Sequence, residues 1–203
     1  EKSGKLAIIE GTGKYDGFPY PLRDVKALIY IQDDSFVIQT FDAIGSEDAT
    51  VSIVGEVNSI EDQVGVNITL TVRDAPLDEA LHDAVSRPVA TVMERFLDQE
   101  ALNRLVDKGI VEEGDFILGG TVDMELSIKH SGKKGDSVEV SGDLVFTDTS
   151  VIHDGFPFPI TIENGSVRLE PNKLEIPFEK RITFHHLGGG RGVIVGSIDF
   201  DNK

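Results

Sequence analysis

The residues whose types and spacing could do chemistry are few: His185-His186, the run Gly188-Gly189-Gly190-Arg191-Gly192, and the acid pairs Asp33-Asp34 and Glu47-Asp48. Adjacent histidines in a strand point to opposite faces, so they do not share one ion as a pair on a single helix face would. His82, His130 and His153 have no ligand spacing and read as partly exposed surface residues. The glycine run has the composition of a phosphate cradle. It lacks the Lys-Ser/Thr of a P-loop, however, and precedes a strand rather than a helix, so it reads as a turn. The acid pairs fall in predicted turns without the 12-residue spacing of a calcium loop. A glycosidase needs only two carboxylates, and among 36 acids no pair stands out. There is no cysteine, which removes disulfides, thiolate metal sites and thiol nucleophiles and leaves the compartment open. The expectation is a protein that is not an enzyme, with no catalytic residue, metal or cofactor.

Attention therefore moves to the elements, which carry a repeat. Tyr15 to Pro21 reads YDGFPYP and His153 to Pro159 reads HDGFPFP, 138 residues later (154 against 16 for the aspartates). The match extends without a gap from Gly4–Pro21 over Gly142–Pro159. It ends with Ile53-Val54-Gly55-Glu56-Val57 against Ile194-Val195-Gly196-Ser197-Ile198, where the spacing is 141 (194 against 53). This predicts two copies of one supersecondary design, with a three-residue length difference in a turn. Prolines cannot donate to a ladder, so Pro19, Pro21, Pro157 and Pro159 belong at an edge, a bulge or a crossing, with Phe18 and Phe156 packed inward.

Each unit reads as strands. Val25 to Ile31, a polar turn at Asp33-Asp34-Ser35 and Phe36 to Phe41 form a hairpin, followed by a strand over 49–57. In the second unit 165–169, 173–178 and 192–200 do the same. Between the units Val64, Val66, Ile68, Leu70 and Val72 share one face of a strand. Val122, Met124, Leu126 and Ile128 repeat that pattern, and Val138, Val140, Leu144 and Phe146 largely follow it. One-sided apolar strands in series predict an antiparallel sheet with one face on a core or ligand. From Asp74 to Gly109 the period changes to that of a helix. Leu77, Ala80, Leu81, Ala84 and Val85 form one stripe, with Asp74 as cap and Pro76 in the first turn, and Ser86 and Pro88 break it. Val89, Val92, Met93, Phe96 and Leu97 restart it, and it runs through Val106 to Gly109. A helical hairpin around 76–108, packed on the apolar face, is expected. The organisation is a first β unit over 1–73, a helical insert over 74–110 and a second β unit over 111–203, together one continuous structural domain.

Charge narrows the partners. The formal net charge is −17, which argues against nucleic acid and against electrostatic binding to an anionic bilayer. Hydrophobic residues make up 39% of the chain and recur in ordered periods, so disorder is not expected. No apolar run approaches the roughly 20 residues that span a bilayer. The first residue is Glu1, and the chain reads as a segment of something longer.

The series Phe18-Pro19-Tyr20-Pro21-Leu22, Val25 to Ile31, Val51 to Val57 and Pro76-Leu77-Asp78-Glu79-Ala80-Leu81, then Phe156-Pro157-Phe158-Pro159-Ile160 and Val193 to Ile198, resembles the bacterial AsmA-like superfamily, whose wider relatives are the repeating β-groove, bridge-like lipid-transfer proteins. Ala27 departs from it, standing where many members carry glycine. The resemblance implies a long, curved antiparallel sheet of stacked units with an apolar interior. It implies a periplasmic or envelope setting in a Gram-negative-type bacterium, with the parent protein anchored in the inner membrane and engaged in phospholipid transport or outer-membrane homeostasis. Phospholipid or another acyl-chain lipid is the expected partner, envelope proteins are further candidates, and no catalytic residues transfer. The expected groove lining is Val64, Val66, Ile68, Leu70, Val72, Val122, Met124, Leu126 and Ile128. The alternative is a structural spacer or protein-interaction module whose core is closed and holds no ligand.

Overall fold

The computed structural model describes residues 3–15, 18–60, 63–85, 90, 93–94, 98–112, 118–133, 135–153, 156–186 and 188–199. Among these the chain forms an open antiparallel sheet of 13 strands with two short helices. In chain order the strands are β1 (Ser3–Ile8), β2 (Gly13–Tyr15), β3 (Phe18–Gln32), β4 (Ser35–Ile44), β5 (Thr50–Ile60) and β6 (Gln63–Pro76). Helices α1 (Glu79–Ala84) and α2 (Gln99–Asp107) follow. Then come β7 (Gly119–Ser131), β8 (Glu139–His153), β9 (Phe156–Glu170), β10 (Lys173–Ile176), β11 (Ile182–His186), β12 (Arg191–Ile194) and β13 (Gly196–Asp199). The sheet order is β1-β3-β4-β5-β6-β7-β8-β9-β10-β13, with β2 on β3 and with β11 joining β9 to β12.

The alternating residues set the register. Val51, Ile53 and Val57 of β5 pair with Val72, Leu70 and Val66 of β6, and Val72, Leu70 and Ile68 pair with Met124, Leu126 and Ile128 of β7. Since the side-chain period is two, this register puts these paired apolar residues on one face, with Val54 of β5 on the other, opposite Thr69, and a slip of one residue would turn the paired set to water. Asp33 supplies a left-handed residue (φ 48°) to the turn between β3 and β4, which is the polar turn expected from sequence.

The two ends of the sheet share a register. Gly4 pairs with Ile31 and Leu6 with Ile29 across β1–β3; Gly142 pairs with Leu169 and Leu144 with Val167 across β8–β9, each residue 138 further on (142 against 4, 169 against 31). Tyr15–Phe18 and His153–Phe156 correspond in the same way. Ile31–Phe36 corresponds to Leu169–Leu174, and Ile38–Gly55 corresponds to Ile176–Gly196. Gly55 and Gly196 adopt the same right-hand-side backbone, φ 142° and 139°. β4 is one strand with an irregular register between Ile38 and Asp42, whereas the corresponding stretch is split into β10 and β11 around a 3-10 turn at Phe178–Lys180. The three-residue difference expected from sequence falls there.

The prolines stand at overhangs. Pro19 and Pro21 lie in the first part of β3, ahead of its first pairing with β4 at Arg23–Ile44, and Pro157 and Pro159 lie ahead of the β9–β11 pairing that begins at Ile160. Pro159 is fully buried, Pro19 is half-buried and Pro21 is exposed. The side chains of Phe18, Phe156 and Pro157 fall outside the described residues, so their packing is not described.

Two helical expectations are corrected. The cap of α1 is Asp78 rather than Asp74: its carboxylate accepts from the Leu81 N–H at 2.8 Å. β6 continues to Pro76 because that residue still pairs with Thr121 of β7, so Pro76 is not in a helix. Asp74 instead has φ 54° in a register shift of β6, where its N–H donates to Asp123 Oδ1 at 2.8 Å. The helices also do not share one surface. α1 joins the main core, whereas α2 buries Ala101, Leu102 and Leu105 with Val111 and with Ile152 of β8 in a separate cluster. Gly109 ends α2 as expected, at φ 66°, with its N–H donating to the Val106 carbonyl. The residues between the helices that broke and restarted the stripe, Ser86, Pro88, Val89, Val92, Phe96 and Leu97, lie outside the described residues.

Candidate functional site: an apolar sheet face covered at one end

The apolar face is built of rows that cross the strands. One row, Ala43, Val51, Val72, Met124, Leu144 and Val167, runs from β4 to β9, and every member is buried. Leu77, Leu81 and Ala84, on and just before α1, together with Met93, belong to the same cluster and cover this end of the face. Each of the valines, leucines and methionines among them contributes about 1.5–3 kcal/mol through burial, and the alanines less.

Further along the strands the cover is lost. The row Ile29, Ile38, Gly55, Ile68, Ile128 and Val140 is half-buried throughout. The next row, Ile31, Phe36, Val57, Val66 and His130, ends in a polar ring, and Phe36 is 42% exposed. Val64, beyond it, is 50% exposed. The nine lining residues expected from sequence thus lie on one face but divide by depth. Leu70, Val72, Val122 and Met124 are sealed in the core, while Val64, Val66, Ile68, Leu126 and Ile128 keep accessible surface. Leu70, Val72, Val122 and Met124 are buried in the cluster that also holds Leu77, Leu81, Ala84 and Met93, a depth that alternation on β6 and β7 does not encode. Phe36, Ile38, Val57 and Val140 were missed as lining. Cross-strand register, once known, places Ile38 and Val140 in the row of Ile68 and Ile128, and Phe36 and Val57 in the row of Val66.

The covered end is locked by a polar clip that sequence did not announce. Tyr20, from the repeated phrase, is completely buried. Gly45 lies so close that a Cβ there would approach a ring carbon to 2.4 Å, so only glycine fits under the ring. Burial pushes the Tyr20 phenol up to about 12, and the nearby Asp78 carboxylate adds to the rise; a hydrogen bond with the Ser46 backbone opposes it, and Glu47 adds a smaller increase. Ser46 Oγ donates to Asp78 Oδ2 at 2.7 Å while Oδ1 caps α1. One carboxylate therefore joins the β4–β5 turn to the helix. The Leu77 N–H donates to the Gly120 carbonyl at 2.9 Å, fixing the segment that enters α1.

At the uncovered end a cleft of about 730 Å³ lies against the β7–β8 connection, lined by Val66 and by polar residues including Asn67, Lys129, His130, Ser131 and Glu139. His130 Nδ1 is 2.8 Å from the Val64 carbonyl and Nε2 is 3.2 Å from that of Asp136. The ring thus joins β6, β7 and the connecting loop. Lys129 is balanced by Asp136 and Glu139, so the cleft has no bias towards anions.

No constellation suited to bond-making is found among the described residues. They hold no group of three or more His, Asp or Glu placed to bind a metal. His185 and His186 point apart: His185 Nε2 pairs with Glu163 at 2.6 Å, while His186 Nδ1 accepts from the Gly188 N–H at 2.8 Å across the β11–β12 turn. The glycine run is this turn, with Gly189 at φ 84°. His82 lies 3.3 Å from Asp83, and the side chain of His153 is outside the described residues. No described helix is long and apolar enough to cross a membrane. The chain matches no protein-family model, no curated protein and no solved structure.

Proposed function

We propose that the uncovered part of the apolar face binds acyl chains, and that the chain is a segment of an envelope protein that carries or holds lipid. The observation that carries this reading is the continuation of apolar rows across β3 to β8 past the point where the helical cover stops. Exposed Val64 and Phe36 and half-buried Val57, Val66 and Ile68, next to Ile128 and Val140 at the margin of the core, form a strip of hydrocarbon that stays partly accessible among the described residues. Contiguous exposed apolar surface marks a binding face more often than isolated residues do. A lipid tail gains about 0.8 kcal/mol per buried methylene without any specific polar contact, which suits a site with no catalytic groups. The common register of β1-β3-β4-β5 and β8-β9-β10/β11-β12/β13 supports reading the two strand sets as copies of one unit, so that the face is the inner side of a repeated β-groove. The AsmA-like resemblance, and with it the periplasmic setting, the inner-membrane-anchored parent and phospholipid as cargo, belongs to the same proposal.

A second reading is favoured by the sealed row under α1: a non-enzymatic strut with a closed core that meets protein partners only. Native mass spectrometry of protein purified from bacteria, followed by solvent extraction, separates the two. Lipid should accompany the wild-type chain and be lost from Ile68→Asp while circular dichroism stays that of the folded protein. Lipid retained by folded Ile68→Asp, or no lipid in either protein, leaves the strut.

A further inference from the structure

The internal correspondence of strands shows what normally lies beside the outermost one. β8, the counterpart of β1, has β9 on one side and β7 on the other: Leu126 of β7 pairs with Gly142, Met124 with Leu144 and Val122 with Phe146. β1 has β3 on one side, and among the described residues no strand on the other. Its apolar side chains register the difference: Leu6 is 47% exposed where its counterpart Leu144 is 8% exposed. β1 is regular through Ser3–Ile8, with neither proline nor bulge to blunt it, and Lys5 is its single charge. Exposed edges of this kind pair readily with an incoming strand.

We propose that the edge of β1 left unpaired among the described residues accepts an antiparallel strand from a partner chain, one that sets apolar residues opposite Gly4, Leu6 and Ile8 and an acid opposite Lys5. The pattern is read from β7, where Glu125 stands opposite Asp143, the counterpart of Lys5. Lys5 itself sits 5.7 Å from the Tyr30 ring centre, on the polar side of the strand, where an acid opposite it gains an ion pair that Asp143 cannot offer. A second copy of the chain is the less suitable occupant, since joining two bodies of net charge −17 is opposed by repulsion. The inference rests on strand register and not on what the apolar face carries, so it stands or falls separately from lipid binding.

The test uses the whole chain and a synthetic peptide with the sequence of Gly119–Ser131 as probe, read by amide hydrogen exchange. The expected result is slowing of exchange by at least about tenfold, confined to Gly4–Ile8. It should be absent with a peptide of the same composition whose alternation is shifted by one residue, and lost in Leu6→Lys, whose half-exposed site tolerates the change. Equal slowing with the shifted peptide, no slowing at saturating peptide, or protection of Gly4–Ile8 that rises with protein concentration alone would each overturn the proposal, the last by making a second copy the occupant.

Discussion

Single residues on the apolar face differ in role according to depth rather than type. Met124 and Ile68 stand on the same face of adjacent strands, yet one is 3% exposed and the other half-buried. Met124→Asp places a carboxylate in a closed core and should cost several kcal/mol, on the order of 3–5, enough to remove most of the stability of a domain; urea titration would show the collapse. Ile68→Asp should leave the midpoint within about 1–2 kcal/mol of wild type, because part of the side chain already meets water. Gly45→Ala tests the contact beneath Tyr20. A methyl group forced against that ring should destabilise by about 1–3 kcal/mol, and Tyr20→Phe, which keeps the ring, should not reproduce the loss. Tyr20 also makes stability depend on alkaline pH. Its folded-state value, about 12, lies above the ordinary 10, so the folded protein holds the proton after the unfolded chain has released it. The contribution is therefore complete below pH 10 and declines as pH rises from 10 towards 12. Unfolding curves at pH 9 and 11 should diverge in the wild type by more than in Tyr20→Phe.

At the scale of elements, α1 contributes Leu81 and Ala84 to the covered end of the face. It has only six residues, too short to be stable alone, and it depends on Asp78 for its cap and on Ser46 for its tether. Asp78→Ala removes both bonds and should cost about 1 kcal/mol or more. The accompanying expectation is faster amide exchange within Glu79–Ala84 and greater binding of an environment-sensitive apolar dye, since the row beneath becomes accessible. Unchanged exchange in α1 would show that burial of Leu81, not the clip, holds the helix. The strands were the legible part of the sequence. Alternation in β6 and β7 identified one apolar face on each, and the 138-residue spacing of Gly4–Pro21 against Gly142–Pro159 recurs in the pairings Gly4–Ile31 and Gly142–Leu169, which the sequence itself does not assign. The helix boundary was not legible, because Asp74 and Asp78 are equally good caps in isolation. What separates them is pairing between Pro76 and Thr121, 45 positions away along the chain (121 against 76). Nor could alternation tell sealed positions from open ones: Leu70 and Ile68 are apolar residues on the same face, and only Leu70 belongs to the buried cluster.

For the whole molecule, the sheet is continuous from β1 to β13, and β6 and β7 bridge the two strand sets. No row of the covered core belongs to one set alone: Ala43 and Val51 at one end adjoin Leu144 and Val167 at the other through Val72 and Met124. Thermal unfolding should accordingly give one cooperative transition with equal calorimetric and van't Hoff enthalpies. Two separated transitions would mean that the sets fold as independent units. The strong negative charge acts at this scale as well. It opposes association with nucleic acid or an anionic bilayer through charge, and the proposed lipid binding, resting on hydrocarbon contact, is expected to depend little on ionic strength.

The extra turn in the second strand set offers a practical handle. Phe178, at its start, is 69% exposed and lies away from the apolar strip's lining residues in sequence, and the chain contains no cysteine. A cysteine placed at position 178 would be a unique thiol, able to carry a fluorophore whose energy transfer to a labelled acyl chain would test the proposed lipid binding directly.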